Sequence, residues 1–369
     1  MKPHLEKKLI HLFVTTLFIL CSLYNFISTK PIPTCTIITI ADGDTVLFAN
    51  NEDWHSPDPM IGFYPTSHEG YGSVHVGFRH NDGFVEFGGA MNDQGLAWDV
   101  NGLPNSSLNP HPEKPFSHEV DNYLSTITKK AATVADAVRI AQDFNFGDSL
   151  AIQIHIADAS GEAVVISAGS DGEVAFTYKP TGDGYLVSTN FNLAYPDNGS
   201  VSWRYDTAVS MLGELNTTKN FSVEQIGEIL NAVHLETLTS YTLYSNIFDL
   251  KKRSIYLYYM TQYDEVVELN LEEELSKGKR IVEMKSLFTQ DTVITGDAAY
   301  QQFEAKFNSV KIGVTLIIPA AIIGVTVLAL KKCKGLQQVK EFKRAPLRTR
   351  NAGRGISDIN PRRGSKPDK

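Results

Sequence analysis

Cysteine is scarce in this chain: three stand among 369 residues, at positions 21, 35 and 333. Cys21 and Cys333 belong to the apolar ends, which leaves Cys35 as the single thiol of the long middle section. An internal disulfide is thereby excluded there, and a domain of about 270 residues must rest on its hydrophobic core, which that length permits. Internal repeats, low-complexity tracts and long linkers are also missing, so one domain is the economical reading. No His/Cys/Asp spacing suggests a metal, and no organic cofactor is implied. Basic residues are outnumbered by acidic ones in the middle. Residues 331–369 carry about 13 basic and 3 acidic side chains, and residues 1–34 add about +3. With a formal total of −8, the middle holds about −21, which argues against a nucleic-acid partner.

The two ends read as targeting and membrane segments. Residues 1–34 open with Lys2, Lys7 and Lys8, continue as LIHLFVTTLFILCSLYNFI and end in the polar STKPIPT. This is the layout of a secretory signal or propeptide, with an uncleaved N-terminal anchor as the alternative. Residues 312–330, IGVTLIIPAAIIGVTVLAL, hold no charge and are about long enough to span a bilayer. Pro319 is compatible with a membrane helix. The following KKCK and the basic tail, 331–369, mark the cytoplasmic side. The expectation is a single-pass protein: ectodomain 35–305 extracellular or lumenal, span 312–330, basic tail inside. Four glycosylation triplets, at Asn105, Asn198, Asn216 and Asn220, fall in the ectodomain. Cys333 beside the span is either an idle thiol or a palmitoylation site.

Alternating apolar runs joined by tight turns dominate the middle section. CTIITIADGDTVLFANNE reads as a hairpin, and YGSVHVGFRHNDGFVEFGGAMNDQGLAWDVN as further strands turning at NDG and NDQG. QIHIADASGEAVVISAGSDGEVAFTY and YLVSTNF add strands, with Asp158 and Asp171 as turn residues. Helices are expected over FSHEVDNYLSTITKK, TVADAVRIAQDF, WRYDTAVSMLGEL and IGEILNAVH. Thr133 with Asp136, and Ser222 with Gln225, have capping-box spacing. SIYLYYMTQYDEVVELNL is a late strand pair, and EEELSKGKR a polar surface segment. The fold class is α+β, with mainly antiparallel strands and helices grouped between them.

Since Cys35 is no staple, chemistry is the sharper reading. A thiol needs a base or a positive charge to become a strong nucleophile. The histidines offer no clear partner; His55, near in sequence beside the SPDP turn, reads as solvent-facing. Cleavage just before Cys35 would create another base, an α-amine of reference pKa near 8 within reach of its own sulfur.

At this point the chain resembles the N-terminal nucleophile (Ntn) hydrolases of the choloylglycine hydrolase and penicillin V acylase group. It is most similar to the branch of linear amide hydrolases and acyl-coenzyme A:penicillin N-acyltransferases. The likeness runs from Cys35 to about Phe288 as an ordered series of short motifs. FANNEDW stands where the family has a segment like GRNLDW, which makes Asp53 the amine-orienting carboxylate and matches Asn51 to the family's Asn. AMNDQGLAWDVNGLP places Asn101 in the oxyanion hole, with Gly102 where related enzymes carry Tyr. STNFN supplies Asn190 as the second oxyanion donor, and SWRYDTAV offers Arg204 beside the nucleophile. The resemblance implies a four-layer αββα sandwich, autoproteolytic maturation and a cysteine amidase acting on linear carbon–nitrogen bonds of N-acyl amides.

One departure stands out: the family Arg of GRNLDW is Asn50 here, so a cation near the thiol is missing. Alternatives kept open are an inactive ectodomain used for binding, an acyltransferase that passes the acyl group to an amine, and lipidation of Cys35. The last is disfavoured by PIPTC, which lacks the residues usual before a lipidated cysteine.

Overall fold

The computed structural model describes residues 34–54, 58–80, 82–114, 120–181, 184–196, 202–216, 221–237 and 239–312, together with Gly324 and Lys331. Residues 1–33 of the expected signal or propeptide, the tail beyond 331, His55, Asn198 and Asn220 lie outside the described residues. So does the expected span 312–330, except for Ile312 and Gly324. Among the described residues no helix is long and apolar enough to cross a membrane.

Fourteen strands form two antiparallel sheets. Strands β1 (Thr36–Asp42), β2 (Thr45–Trp54), β10 (Tyr185–Ser188), β11 (Tyr241–Asp249), β12 (Ser254–Tyr259) and β13 (Gln262–Asn270) make the first, in the order β10-β1-β2-β11-β12-β13. The second contains β3 (Asp58–Tyr64), β4 (Ser73–Arg79), β5 (Val85–Asn92), β6 (Ala97–Ser107), β7 (Ser149–Ala157), β8 (Ala163–Ala168), β9 (Val174–Tyr178) and β14 (Arg280–Glu283). Its order is β14-β3-β4-β5-β6-β7-β8-β9.

Strand alternation explains the layering. In β1 and β2, Ile37, Val46 and Phe48 point into a core shared with the second sheet, where Ile61, Val74 and Val76 meet them. Their neighbours Ile38, Ile40, Leu47 and Ala49 point the other way. There they meet helices α3 (Trp203–Asn216) and α4 (Val223–Ala232) through Ala208, Leu212, Ile226 and Leu230. On the far face of the second sheet, Trp98, Ile154 and Ile156 pack beneath α1 (Val120–Lys130) and α2 (Val134–Gln142). The result is helix, sheet, sheet, helix. Antiparallel sheets covered on both faces read as near-continuous apolar runs, which is why TIITIA looks so greasy.

Local signals at the helix ends behave as the sequence suggests. The Ser222 hydroxyl accepts from the Gln225 N–H while the Gln225 side chain accepts from the Ser222 N–H, a complete capping box. At α2 the Thr133 hydroxyl accepts from the Asp136 N–H, but the Asp136 carboxylate reaches the Ala132 N–H instead of closing the box. Asp158 does more than turn the chain, since its Oδ2 accepts from the Val134 N–H at 2.7 Å and fastens α2 to the sheet. In the NDQG turn Gly95 adopts φ 83°, and a Cβ there would lie 2.3 Å from the Leu250 carbonyl oxygen.

Two expectations are corrected. DPMIGFY, the end of the supposed SPDP turn, begins strand β3, because its alternating apolar residues find β4 and β14 as partners. EEELSKGKR is more than a polar segment: α5 (Leu271–Ser276) buries Leu271 and Glu274, and Arg280 opens β14. Helix α6 (Gln290–Ile312) packs Tyr300 and Phe303 against the inter-sheet core.

Phe48 stands at the centre of that core, stacked on Phe248 and edge-on to His155. Phe48→Ala is expected to remove roughly 3–5 kcal/mol of stability. Urea unfolding checks this, and a loss below about 1 kcal/mol would contradict the placement.

Candidate active site

The first hairpin sets the geometry. Thr36 pairs with Asn51, and the ladder continues one step further, where the Thr34 N–H donates to the Asp53 carbonyl at 3.2 Å. Cys35 and Glu52 therefore face each other across β1 and β2. Both follow the parity of Ile37 and Phe48, toward the second sheet. Cys35 is 1% exposed, and its thiol lies 3.6 Å from Glu52 Oε2. The Asn50 side-chain amide approaches the same oxygen at 3.5 Å.

Opposite parity carries Asn51 and Asp53 to the helix side. Asn51 ties the sheet to α4, donating to the Leu230 carbonyl at 2.8 Å and accepting from the Ser245 hydroxyl at 2.7 Å. One Asp53 oxygen accepts from the Thr242 hydroxyl, and the other pairs with the Arg204 guanidinium at 3.2 Å. Arg204 also donates to Thr36 Oγ1 at 2.9 Å and to Asn190 Oδ1 at 2.7 Å. Its charge is thus held on Asp53 and Asn190, and none of these contacts is to the Cys35 sulfur.

The second sheet contributes Asn101 and Gln153, and the turn after β10 of the first sheet contributes Asn190. Asn101 Nδ2 donates to the carbonyl of Cys35 itself at 3.0 Å. Asn190 follows β10 and donates to the Gly102 carbonyl at 2.9 Å. Gln153 on β7 links the two, donating to Asn101 Oδ1 at 3.2 Å and to the carbonyls of Thr189 and Phe191. The five residues singled out in the sequence are therefore brought together: Cys35, Asp53, Asn101, Asn190 and Arg204 form one continuous, nearly dry network. It is assembled from β1, β2, β6, the end of β10 and the start of α3.

Sequence reasoning missed the acids. Asp99, two residues before Asn101 and so on the same face, is fully buried, and its Oδ2 has no hydrogen-bond partner among the described residues. Glycines make the room: a Cβ on Gly89 would lie 2.2 Å from Asp99 Oδ2, and one on Gly88 would lie 3.2 Å from Glu52 Oε2. Gln153 and Thr242 were missed too. Period-2 counting from Cys35 across the hairpin would have flagged Glu52, and counting back from Asn101 would have flagged Asp99.

This company shapes the electrostatics. Burial pushes the Cys35 thiol well above its ordinary pKa, and the charges of Glu52, Asp99 and Asp53 push the same way. Burial raises Glu52 to about 7. Burial also raises Asp53 to about 8, against Arg204 and Thr242, which lower it. Asp99 rises well above the carboxylate range through burial and the nearness of Glu52. His155, fixed between Thr39 and Ser188, is driven down to about 3 by burial and serves as a neutral tie between the sheets. No group of His, Cys, Asp and Glu among the described residues has the arrangement of a metal site. An open groove of about 440 Å³ beside Val134, Asp158 and Tyr178 is lined by none of the site residues.

Comparison with solved structures places the fold. A cysteine-to-alanine variant of conjugated bile acid hydrolase from Clostridium perfringens aligns over 68% of this chain and 96% of its own, at 14% identity and a TM-score of 0.51. An arginine-to-leucine variant of the same protein gives 69% and 98%, 14% identity and 0.52. Penicillin V acylase from Agrobacterium tumefaciens gives 67% and 90%, 16% identity and 0.51. The chain shares the fold of these structures. No protein-family profile and no curated protein sequence matches it.

The raised carboxyls have a consequence for stability. A carboxylic acid whose pKa is raised by folding keeps its proton where the unfolded chain has lost it. Stability therefore falls as pH climbs from about 4 through the folded values near 7 and 8. Thermal melts of a Cys35→Ala chain are expected to show Tm falling between about pH 5 and about pH 8, with a shallower fall when Glu52→Gln is added. A Tm that rises over that window would contradict the buried acids.

Proposed function

We propose that this protein is an Ntn amide hydrolase that uses Cys35, freed by cleavage of the Thr34–Cys35 bond, to open linear carbon–nitrogen bonds of N-acyl amides. The observation that carries this reading is the convergence of Cys35, Asp53, Asn101, Asn190 and Arg204 on one buried network within the fold of bile acid hydrolase and penicillin V acylase.

In this reading the free α-amine of Cys35 takes the thiol proton and Sγ attacks the amide carbonyl. The tetrahedral oxyanion is met by the Asn101 and Asn190 amides, each of which has a second N–H besides the one already engaged. The amine then returns the proton to the leaving nitrogen, and water resolves the thioester. Asp53, at the strand end and anchored by Arg204 and Thr242, becomes the counter-ion of the new ammonium, whose charge joins that of Arg204 in drawing the proton off its carboxyl. Arg204 acts through Asp53 and Asn190, orienting both. No cofactor takes part.

The substrate class follows from the neighbours' activities on a bile acid conjugate and a penicillin. We place the ectodomain on the extracellular or lumenal side, tethered by 312–330 with the basic tail inside; this rests on hydropathy and charge in the sequence. A second reading, a weakly active or inactive ectodomain, is favoured by one observation: Asn50 stands where the family pattern has Arg, and the charges facing the thiol are acidic.

Mass spectrometry of the mature chain is expected to find Cys35 at the N-terminus. On a panel of N-acyl amides, Cys35→Ala should abolish turnover and Asn101→Ala should lower kcat by about 100- to 1,000-fold. A Cys35→Ala chain as fast as wild type would sink the assignment.

A further inference from the structure

While Thr34 is attached, the Cys35 nitrogen is an amide and cannot act as a base. The maturation step therefore needs a proton acceptor other than the one proposed for turnover. Among the described residues the side-chain oxygen in contact with the thiol is Glu52 Oε2, at 3.6 Å. The competing groups are otherwise engaged. Asp53 lies on the opposite face, bound to Arg204 and Thr242. The His155 ring is closed between Thr39 and Ser188, and the His75 ring bonds Ser73.

We propose that Glu52 is the general base of self-cleavage, a catalytic residue for freeing Cys35. This rests on the reading of Cys35 as an Ntn nucleophile. The step balances as follows. The thiol proton passes to Glu52 Oε2 as Sγ bonds to the Thr34 carbonyl carbon. Glu52 then returns that proton to the Cys35 nitrogen as the carbon–nitrogen bond breaks, leaving a thioester and a free α-amine. Water adds to the thioester, releasing the Thr34 carboxylate and restoring the thiol.

Three features suit Glu52 to the task. It stands opposite the nucleophile on the adjacent strand, at a position fixed by the hairpin register. Gly88 leaves space for its carboxylate. Its pKa near 7 lies where a group can both take and return a proton at neutral pH. The titratable groups facing it are Cys35 from β1, Asp53 on its own strand, Glu86 from β5, Asp99 from β6 and Tyr244 from β11. Burial and the Glu86 charge raise its affinity for a proton, while the hydrogen bonds from Cys35, Asn50 and Tyr244 lower it. The Asn50 amide approaches the same oxygen, where an arginine would have clamped it in the charged form.

The test uses the full chain made by membrane-free translation into detergent, so that no signal peptidase is present. Intact mass spectrometry follows appearance of the fragment beginning at Cys35. Wild type is expected to cut itself, with a rate that rises with pH through about 7. Glu52→Gln should slow cleavage by about 100-fold or more and lose that inflection, while Glu52→Asp retains part of both. A Glu52→Gln chain that cuts within about threefold of wild type with the same pH profile overturns the proposal, and so does a wild-type chain that stays uncut. A wild-type chain cut before Cys35 by an added protease separates the two readings. If it hydrolyses N-acyl amides although self-cleavage has failed, only the role of Glu52 falls; if it hydrolyses none, the amidase reading falls.

Discussion

A thiol and a carboxylic acid, buried against each other across one hairpin, govern the rest of this site. Neither Cys35 nor Glu52 has water to ionise into, and Asp99 adds a third acid to the same space. Burial alone disfavours any charge there, and each charge that does form disfavours the next. The site therefore holds protons until a cation joins it. In the proposed enzyme that cation is the α-ammonium of Cys35, created by the cut itself.

The fold accommodates this arrangement by keeping the Asp53–Arg204 ion pair and the Cys35–Glu52 pair on opposite faces of one sheet. Odd positions of β1 and even positions of β2 face the second sheet, where the neutral amides of Asn50 and Asn101 reach Glu52 and the Cys35 carbonyl. Asp53, one residue beyond Glu52, emerges on the helix side and meets Arg204. A buried ion pair of this kind contributes more to geometry than to net stability. Its use here is to fix Asp53 and Asn190 from a single side chain on α3. Gln153 performs the corresponding service on the other sheet, holding Asn101 and the turn after β10. Where an arginine would stand beside the sulfur in the family pattern, this chain has Asn50 and has placed an acid two residues on.

Much of this was legible in the sequence. Hairpin turns, the Ser222 box and the helices were carried by local signals that depend on a few adjacent residues. The ordered motifs located Cys35, Asp53, Asn101, Asn190 and Arg204. What could not be read were features decided by partners far away in sequence. DPMIGFY resembles a turn until β14, more than 200 residues later, pairs with it. Helix α6 carries few apolar residues on any face, and Tyr300 and Phe303, with Val293 and Ala299 packed beside them, secure it to the core. Glu52 and Asp99 look like ordinary polar strand residues, because nothing local shows that Gly88 and Gly89 have cleared a space for them. A lone acid in a strand gives no sign of which face will be dry.

The account turns on whether the acids hold the thiol protonated until the amine is free. The cysteine content makes this measurable, since Cys35 is the single cysteine between residues 34 and 312 and its signal is assigned by comparison with Cys35→Ala. A ¹³Cβ-labelled cysteine titration by NMR on the uncut and the cut chain reads the Cys35 pKa directly. The account predicts a value well above that of an ordinary thiol in the uncut chain, and a marked fall once Cys35 is N-terminal. An uncut chain whose thiol titrates at or below the ordinary value, or a value that the cut leaves unchanged, would contradict it.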